Sequence, residues 1–340
     1  MHDFSHSVKP HGVIFSFKGT SLSSRERSFF QETSPLGFIL FSRNYKNLNQ
    51  LKDLIKDLKS VSKNKDTLIF IDQEGGRVQR LKDSNFKKIP PQNHFEMLYK
   101  KEPLKAINYA EYCSSFIGYQ LKRVGIDVNF SPVLDLNFKY ANNIIGDRSF
   151  SSDHSIVSDL GVAYCKGFKK SGIIAVPKHF PGHGRSRFDS HKTLPKINIS
   201  TEELLKSDLI PFIKCKKEIF MMIAHIVYTK TDNLVATYSR KIVEELLVKQ
   251  IGFKGLVISD DLSMKALKGS MKTRTKNTYK SGCDIVLYCS GILNEMKEIY
   301  ENAKQLDDGK YNLLIKFKKK LKHKTFKNKP VIDRYLFKDE

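Results

Sequence analysis

Short apolar runs alternate with longer amphipathic runs along most of the chain. Eight of the short runs are rich in Val, Ile and Phe and almost continuously apolar, which is typical of strands buried on both faces of a sheet. These predicted strands span residues 12–18, 37–42, 67–73, 127–135, 173–179, 219–228, 255–261 and 284–289.

The longer runs predict helices between the strands. Leu51, Leu54, Ile55 and Leu58, for example, repeat at a spacing of three or four, which places them on one helix face. The same kind of pattern predicts helices at residues 48–58, 104–124, 153–170, 202–217, 239–250 and 293–303.

Eight strands that alternate with helices indicate an α/β fold, either a (β/α)8 TIM-like barrel or a doubly wound sheet. Polar side chains favour the barrel, because Asp72, Lys178 and Asp260 each stand at the carboxyl end of an apolar strand. In a barrel these ends open onto one face, whereas distant strands of an open sheet cannot cooperate. We predict a single-domain barrel over residues 1–310. Residues 311–340 are expected to form a basic C-terminal helix and tail, packed on the barrel or partly mobile.

The chain is strongly basic, with 59 Lys and Arg residues against 36 Asp and Glu residues in a total of 340, a formal net charge of +23. The lysines are densest in residues 316–329, KFKKKLKHKTFKNK. This segment predicts either a contact with nucleic acid or a solvated lysine-rich surface. No RNA-binding motif with interleaved aromatic residues accompanies the charge, which favours the solvated surface.

Cysteine usage and hydropathy indicate the compartment. The five cysteines are scattered and form no CxxC pair, so we expect neither a disulfide framework nor a structural zinc site. The apolar runs are far shorter than the roughly 20 residues that a membrane helix needs. The first residues do not resemble a secretory signal. These features predict a cytoplasmic protein, which we expect to be a monomer without a membrane partner.

The densest group of chemically active side chains is the segment KHFPGHGRSRFDSH, residues 178–191. A metal site would use His179, His183, Asp189 and His191. However, Pro and Gly between the first two histidines prevent them from sharing a helix face. We therefore expect no metal and no other cofactor.

Acid–base chemistry is a second interpretation of this segment. Asp189 stands two residues before His191, so its carboxylate can accept one imidazole N–H and fix the tautomer. An imidazole gives and takes protons near neutral pH. The alternative is an incidental loop histidine.

Acidic and basic residues at other strand ends add candidates. Asp260 and Asp261 end a predicted strand, so one can be a carboxylate nucleophile and the other a helix N-cap. Asp72, Arg80 and Arg148 fit either a ligand-binding group or salt-bridged turns.

Several of these strings occur together in a known family. DQEGGRVQRL, GDRSF, KHFPGHG followed by DSH, AHIVY and SDDLSM stand in this order between residues 12 and 300. In both order and spacing the chain resembles the glycoside hydrolase family 3 β-N-acetylhexosaminidases, in particular the single-domain bacterial enzymes of peptidoglycan recycling. The resemblance implies a barrel that hydrolyses terminal, non-reducing β-linked N-acetylglucosamine (GlcNAc) with retention, acting on sugar fragments of the GlcNAc–anhydro-muropeptide type.

The resemblance also implies roles for individual residues. Asp260 would be the nucleophile of a covalent glycosyl-enzyme, His191 the proton donor and acceptor, and Asp189 the partner that tunes the histidine. The residues that would bind the sugar are Asp72, Arg80, Arg148, Lys178 and His179.

The segment departs from the family where Arg185 and Arg187 replace acidic or small residues. These arginines could lower the pKa of His191, face an anionic leaving group, or be solvated. They also leave open a phosphorylase that uses phosphate as acceptor. A third alternative is a non-catalytic barrel that binds nucleic acid through residues 316–329.

Overall fold

Eight parallel strands form the centre of the molecule in the computed structural model, which describes residues 8–186 and 193–322. The strands are β1 (His11–Phe15), β2 (Pro35–Leu40), β3 (Leu68–Ile71), β4 (Val128–Asn129), β5 (Ile174–Ala175), β6 (Phe220–Ile223), β7 (Leu256–Asp261) and β8 (Ile285–Tyr288). They pair in the order β5-β4-β3-β2-β1-β8-β7-β6.

The two ends of this sheet meet beyond β5. The Phe180 N–H donates to the Met222 carbonyl at 2.8 Å, and the Ala224 N–H donates to the Phe180 carbonyl at 2.8 Å. The sheet therefore curves round into a (β/α)8 TIM-like barrel, and the predicted fold class is confirmed.

Along most of the strands, side chains alternate between two apolar clusters. On β3, Leu68 and Phe70 belong to a cluster that draws residues from all eight strands, whereas Ile69 and Ile71 belong to a cluster shared with the helices. Successive strand residues point to opposite faces. The first cluster therefore fills the barrel and the second packs the helices on its outside.

Helices surround the barrel and connect its strands. They are α1 (Ser24–Glu32), α2 (Leu48–Val61), α3 (His94–Lys101), α4 (Pro103–Lys122), α5 (His154–Lys170), α6 (Thr201–Leu205), α7 (Ile210–Lys214), α8 (Met271–Lys280), α9 (Leu293–Glu301) and α10 (Asp308–Lys322), with a π-helix at Lys241–Gln250. No helix within residues 8–186 and 193–322 is long and apolar enough to cross a membrane.

Helix α10 closes the barrel at the amino ends of the strands. Leu314 and Leu321 join the apolar cluster inside the barrel. Lys310 pairs with Asp284, just before β8, at 2.6 Å, and Lys318 pairs with Asp66, just before β3, at 2.9 Å. Part of the basic C-terminal segment is thus used for packing at the end of the barrel opposite Asp260.

Some elements differ from the predicted ones. The helix predicted at 202–217 consists of α6 and α7, and the second begins with Pro211 in its first turn. Proline lacks an N–H group and suits the start of a helix rather than its interior. The strand predicted at 219–228 ends at Ile223, and Val227–Tyr228 pairs instead with Lys196–Ile197. Helices α1, α3 and α8 were not predicted.

Candidate active site

A cavity of about 310 Å³ opens at the carboxyl ends of the barrel strands. Asp189 and His191 lie outside the described residues, as does Arg187. The other predicted site residues all line this cavity: Asp72, Arg80, Arg148, Lys178, His179 and Asp260.

Asp72 and Lys178 form an ion pair on one wall of the cavity. The Lys178 ammonium is almost fully buried and lies 2.7 Å from Asp72 Oδ1, and Arg80 Nη2 lies 3.3 Å from Asp72 Oδ2. Burial raises the pKa of Asp72, but Lys178 and Arg80 outweigh it and lower the pKa below its ordinary value. Asp72 is therefore an ionised acceptor whose neighbours are both donors.

Glu74, which is not among the predicted site residues, links two of them. Its carboxylate accepts two hydrogen bonds from Arg148, from Nε and Nη2, each 2.8 Å long, and lies 2.6 Å from Lys178 Nζ. Burial raises the pKa of Glu74, but Arg148 and Lys178 lower it to about 2. The position two residues after Asp72 in a strand-like run could have revealed it, because such residues share a face.

Asp135, also missed, orients the histidines of KHFPGHG. His179 Nδ1 lies 2.7 Å from Asp135 Oδ2, and the His183 backbone N–H donates to Asp135 Oδ1 at 2.6 Å. A carboxylate at Nδ1 favours the tautomer that carries its proton there, which leaves Nε2 of His179 for a ligand. Burial lowers the pKa of His183 to about 4, so its imidazole is neutral at pH 7.

The paired aspartates at the end of β7 have different surroundings. Asp261 accepts hydrogen bonds from the N–H groups of Ser263 and Cys289, each at 3.0 Å, and from the Ser263 hydroxyl at 2.5 Å. Its carboxylate thus joins β7 to the end of β8. Asp260 Oδ1 accepts the Asp261 N–H at 2.8 Å, and the Asp260 carboxylate lines the cavity.

His225, which follows β6, is hydrogen-bonded to the end of β7. Its Nε2 lies 3.0 Å from the Asp261 carbonyl and its Nδ1 lies 2.6 Å from Thr237 Oγ1. A carbonyl only accepts, so Nε2 carries the proton. Burial lowers the pKa of His225, and the nearby Asp260 carboxylate partly offsets this effect.

A short hairpin carries the arginines of the DQEGGRVQRL segment over the cavity. Gln73–Gly75 pairs with Val78–Gln79, and the turn needs a positive φ at Gly75 (103°) and Gly76 (53°), which glycine adopts readily. Arg77 donates to the carbonyls of Asn143 at 2.6 Å and Ile144 at 2.9 Å. The hairpin is thereby tied to the segment that precedes Arg148.

The chemistry of the cavity suits a sugar. Ionised acceptors and cationic donors alternate on one wall and can form charge-assisted hydrogen bonds to hydroxyl groups. The ring of Phe41, flanked by the guanidinium groups of Arg43 at 4.5 Å and Arg80 at 5.3 Å, contributes an apolar surface. No cluster of three or more His, Cys, Asp or Glu side chains with metal-ligand geometry occurs within the described ranges.

Arg185 does not extend into solvent as a loop arginine would. Its Nε donates to Asp208 Oδ2 at 2.9 Å and its Nη2 to Ser207 Oγ at 3.2 Å, and its side chain is 22% exposed. Arg185 is therefore a paired cation, and its charge is largely neutralised by a carboxylate that is almost fully buried.

Comparison with known proteins places this geometry in a family. Residues 19–318 match the model of the glycosyl hydrolase family 3 N terminal domain. A β-hexosaminidase of Tolumonas auensis is 38% identical over 283 residues, 82% of each chain, and one of Bordetella avium is 34% identical over 287 residues, 83% of this chain and 81% of that one.

Solved structures agree with the sequence relatives. Native NagZ from Neisseria gonorrhoeae is 32% identical, covers 90% of both chains and has a TM-score of 0.83. A family 3 β-N-acetylglucosaminidase from Paenibacillus has a TM-score of 0.81 at 28% identity, over 92% of this chain and 61% of that one. The predicted resemblance and the predicted glycosidase activity are both confirmed. The chain belongs to glycosyl hydrolase family 3.

Proposed function

We propose that the chain is a retaining exo-β-N-acetylglucosaminidase that releases terminal, non-reducing GlcNAc from peptidoglycan-derived muropeptides. The observation that carries the proposal is the Asp260 carboxylate, which lines the same cavity as Asp72, Lys178 and Arg148. A carboxylate beside a set of hydroxyl-binding groups is the arrangement that a covalent glycosyl transfer requires. The relatives named β-hexosaminidase supply the sugar class.

The reaction proceeds in two displacements. In the first, an Asp260 oxygen attacks the anomeric carbon, the glycosidic bond breaks, and His191 gives a proton to the departing oxygen. In the second, His191 takes a proton from water, whose oxygen displaces Asp260 and regenerates the free carboxylate. Each step inverts the anomeric centre, so the product keeps the β configuration. Asp189 holds the imidazole tautomer and stabilises its charged form.

The sugar is held by the charged groups that line the cavity together with Asp260. Lys178 and Arg80 donate to hydroxyl oxygens while Asp72 accepts from hydroxyl protons, and each contact is strengthened by charge. Arg148 offers its N–H groups to the sugar, and His179 offers Nε2. Because Glu74 and Asp135 fix these two side chains before the sugar arrives, little conformational entropy is lost on binding.

The positions of charged groups argue against two alternative functions. A phosphorylase would need cations free to attract phosphate, but Arg185 is neutralised by Asp208. For a nucleic-acid contact, Lys318 in the described part of the basic C-terminal segment is already paired with Asp66, and Leu321 of α10 packs inside the barrel. Cytoplasmic location is consistent with the five cysteines, all free thiols.

Turnover of 4-nitrophenyl β-GlcNAc by the wild-type protein and by Asp260→Ala tests the proposal. We expect release of GlcNAc with wild type and a loss of at least about a thousandfold in kcat with the variant, which keeps its thermal unfolding temperature. The same assay with added phosphate shows whether water or phosphate accepts the GlcNAc unit. Equal turnover by the variant, or GlcNAc-1-phosphate as the main product, would overturn the proposal.

A further inference from the structure

Strand β7 is irregular at the point where it carries Asp260. Ile258 pairs with Ile285 and Asp261 pairs with Leu287, so β7 advances by three residues where β8 advances by two. This irregularity is a β-bulge, and a bulge bends its strand and changes the direction of the side chains that it carries. The direction of the Asp260 carboxylate therefore depends on the contacts that hold the bulge.

Side chains of β7 hold the bulge on the side of β8. The Leu287 N–H donates to Ser259 Oγ at 3.1 Å, and the Cys289 N–H donates to Asp261 Oδ1 at 3.0 Å. These bonds attach the residues before and after Asp260 to β8. Asp260 Oδ1 in turn accepts the Asp261 N–H at 2.8 Å, so a movement of Asp261 moves the hydrogen-bond donor of the Asp260 carboxylate.

An imidazole holds the bulge on the side of β6. Backbone pairing between β6 and β7 ends with Ile223 and Ser259, one residue before Asp260. Beyond this last pair, His225 Nε2 donates to the Asp261 carbonyl at 3.0 Å. The side chain of His225 therefore continues the connection between the two strands past the end of their backbone pairing.

His225 is itself fixed by its surroundings. Its side chain is 0% exposed, so it contacts no molecule in the cavity directly. Nδ1 lies 2.6 Å from Thr237 Oγ1. Burial lowers the pKa of His225, which keeps the imidazole neutral at pH 7, so Nδ1 accepts the Thr237 hydroxyl proton while Nε2 carries its own.

We propose that His225 is a positioning residue for the nucleophile. By donating to the Asp261 carbonyl, it holds the bulge of β7 and directs the Asp260 carboxylate into the cavity. This inference rests on the proposed function, since it assumes that Asp260 attacks the anomeric carbon. A misplaced nucleophile slows the displacement more than it weakens binding, because other side chains hold the sugar.

The rate of glycosyl-enzyme formation tests this role. His225→Leu removes both hydrogen bonds of the imidazole, whereas His225→Gln keeps an N–H group for the Asp261 carbonyl. With 4-nitrophenyl β-GlcNAc, His225→Leu should lower kcat/KM about 10- to 100-fold, the effect of a displaced reacting group, and His225→Gln should recover most of the loss. The inhibition constant of methyl β-GlcNAc, which reports binding alone, should change less than about threefold.

A second leaving group distinguishes the nucleophile from the acid–base group. Dinitrophenolate departs without a proton, so a defect in proton transfer is smaller with dinitrophenyl β-GlcNAc than with the 4-nitrophenyl substrate. A displaced Asp260 affects both substrates, because the carboxylate attacks the same anomeric carbon. His225→Leu should therefore lower kcat/KM by a similar factor for the two substrates.

Two further variants make the result specific. His11→Gln is the matched control, since His11 is a half-buried histidine on β1 bonded to Ser34 and Tyr300, and kcat/KM should not change. Thr237→Val leaves the imidazole in place without its partner at Nδ1, and should lower kcat/KM about two- to tenfold. This variant decides the question if thermal unfolding shows that His225→Leu is not folded.

Four results would overturn the positioning role. They are wild-type kcat/KM in His225→Leu, or in Thr237→Val where that variant replaces it; an equal loss in His225→Gln and His225→Leu; a loss of binding as large as the loss of kcat/KM; and a loss confined to the 4-nitrophenyl substrate. Absence of turnover by the wild-type protein would instead contradict the proposed function and, with it, the role of His225.

Discussion

Replacing Glu74 by glutamine tests the charge network beneath the sugar site. Glu74 is 2% exposed and its carboxylate bonds to both Arg148 and Lys178. Glutamine has the same shape but no charge, so the two cations lose their shared counter-ion. Breaking a buried pair from one side is costly because the remaining charges stay buried.

The magnitude follows from the pKa of Glu74, which falls from an ordinary value of 4.5 to about 2 in the folded protein. Each unit is worth about 1.36 kcal/mol, so ionised Glu74 stabilises the fold by about 3 kcal/mol at neutral pH. Since the folded pKa is lowered, this stabilisation is complete above the unfolded pKa. It is lost as the pH falls toward 2.

Urea unfolding followed by circular dichroism measures this effect. At pH 7 the free energy of unfolding of Glu74→Gln should be about 3 kcal/mol below that of wild type, and the difference should shrink as the pH falls below 4. Glu244→Gln, which removes the exposed pair with Arg240, is the matched control and should cost less than about 1 kcal/mol. If Glu74→Gln is as stable as wild type at pH 7, the buried network does not hold the site.

Three further changes test other parts of the structure. Arg185→Ala should lower the free energy of unfolding by about 3 kcal/mol because Asp208 stays buried without its cation, and Arg185→Lys should recover part of the loss; equal stability in urea would contradict the pairing. Burial lowers the pKa of His183 to about 4, so the unfolded state binds the proton first and stability should fall from pH 6.5 toward 4. His183→Gln should flatten the dependence of stability on pH between 6.5 and 4. An unchanged slope would contradict the lowered pKa of His183. Leu314→Ala should lower the free energy of unfolding, measured by thermal unfolding, by about 2–5 kcal/mol. Leu313→Ala, at the neighbouring residue that is 38% exposed, should lower it little. Equal effects would mean that α10 does not close the barrel.

The barrel was predictable because each of its strands has a recognisable sequence pattern. Continuous apolar runs, each followed by a polar residue such as Asp72 or Asp260, indicate strands buried on both sides that end at a common face. The division of the region around Pro211 into two helices was less visible, since its apolar spacing continues through the break. The hairpin at Gly75 and Gly76 was also missed, because it depends on contacts with residues far along the chain.

The site was predictable where a residue type suggested its own chemistry, and not where its role depends on a distant partner. Lys178 and His179 stand in a dense polar segment that is visible in the sequence. Glu74 is 74 residues from Arg148, and Asp135 is 44 residues from His179, so only the fold brings these pairs together. The difference between Asp260 and Asp261 likewise comes from the β7–β8 contact.

The central claim is that Asp260 forms a covalent bond to the sugar. A GlcNAc fluoride with a second fluorine at C5 forms the glycosyl-enzyme but releases it slowly, because fluorine disfavours the positive charge of the transition state. After incubation, intact mass spectrometry should show the addition of one fluorinated GlcNAc unit, and peptide mapping should place it on Asp260. Asp260→Ala should remain unlabelled. A sugar attached to another residue, or labelling of Asp260→Ala to the same extent as wild type, would contradict the account.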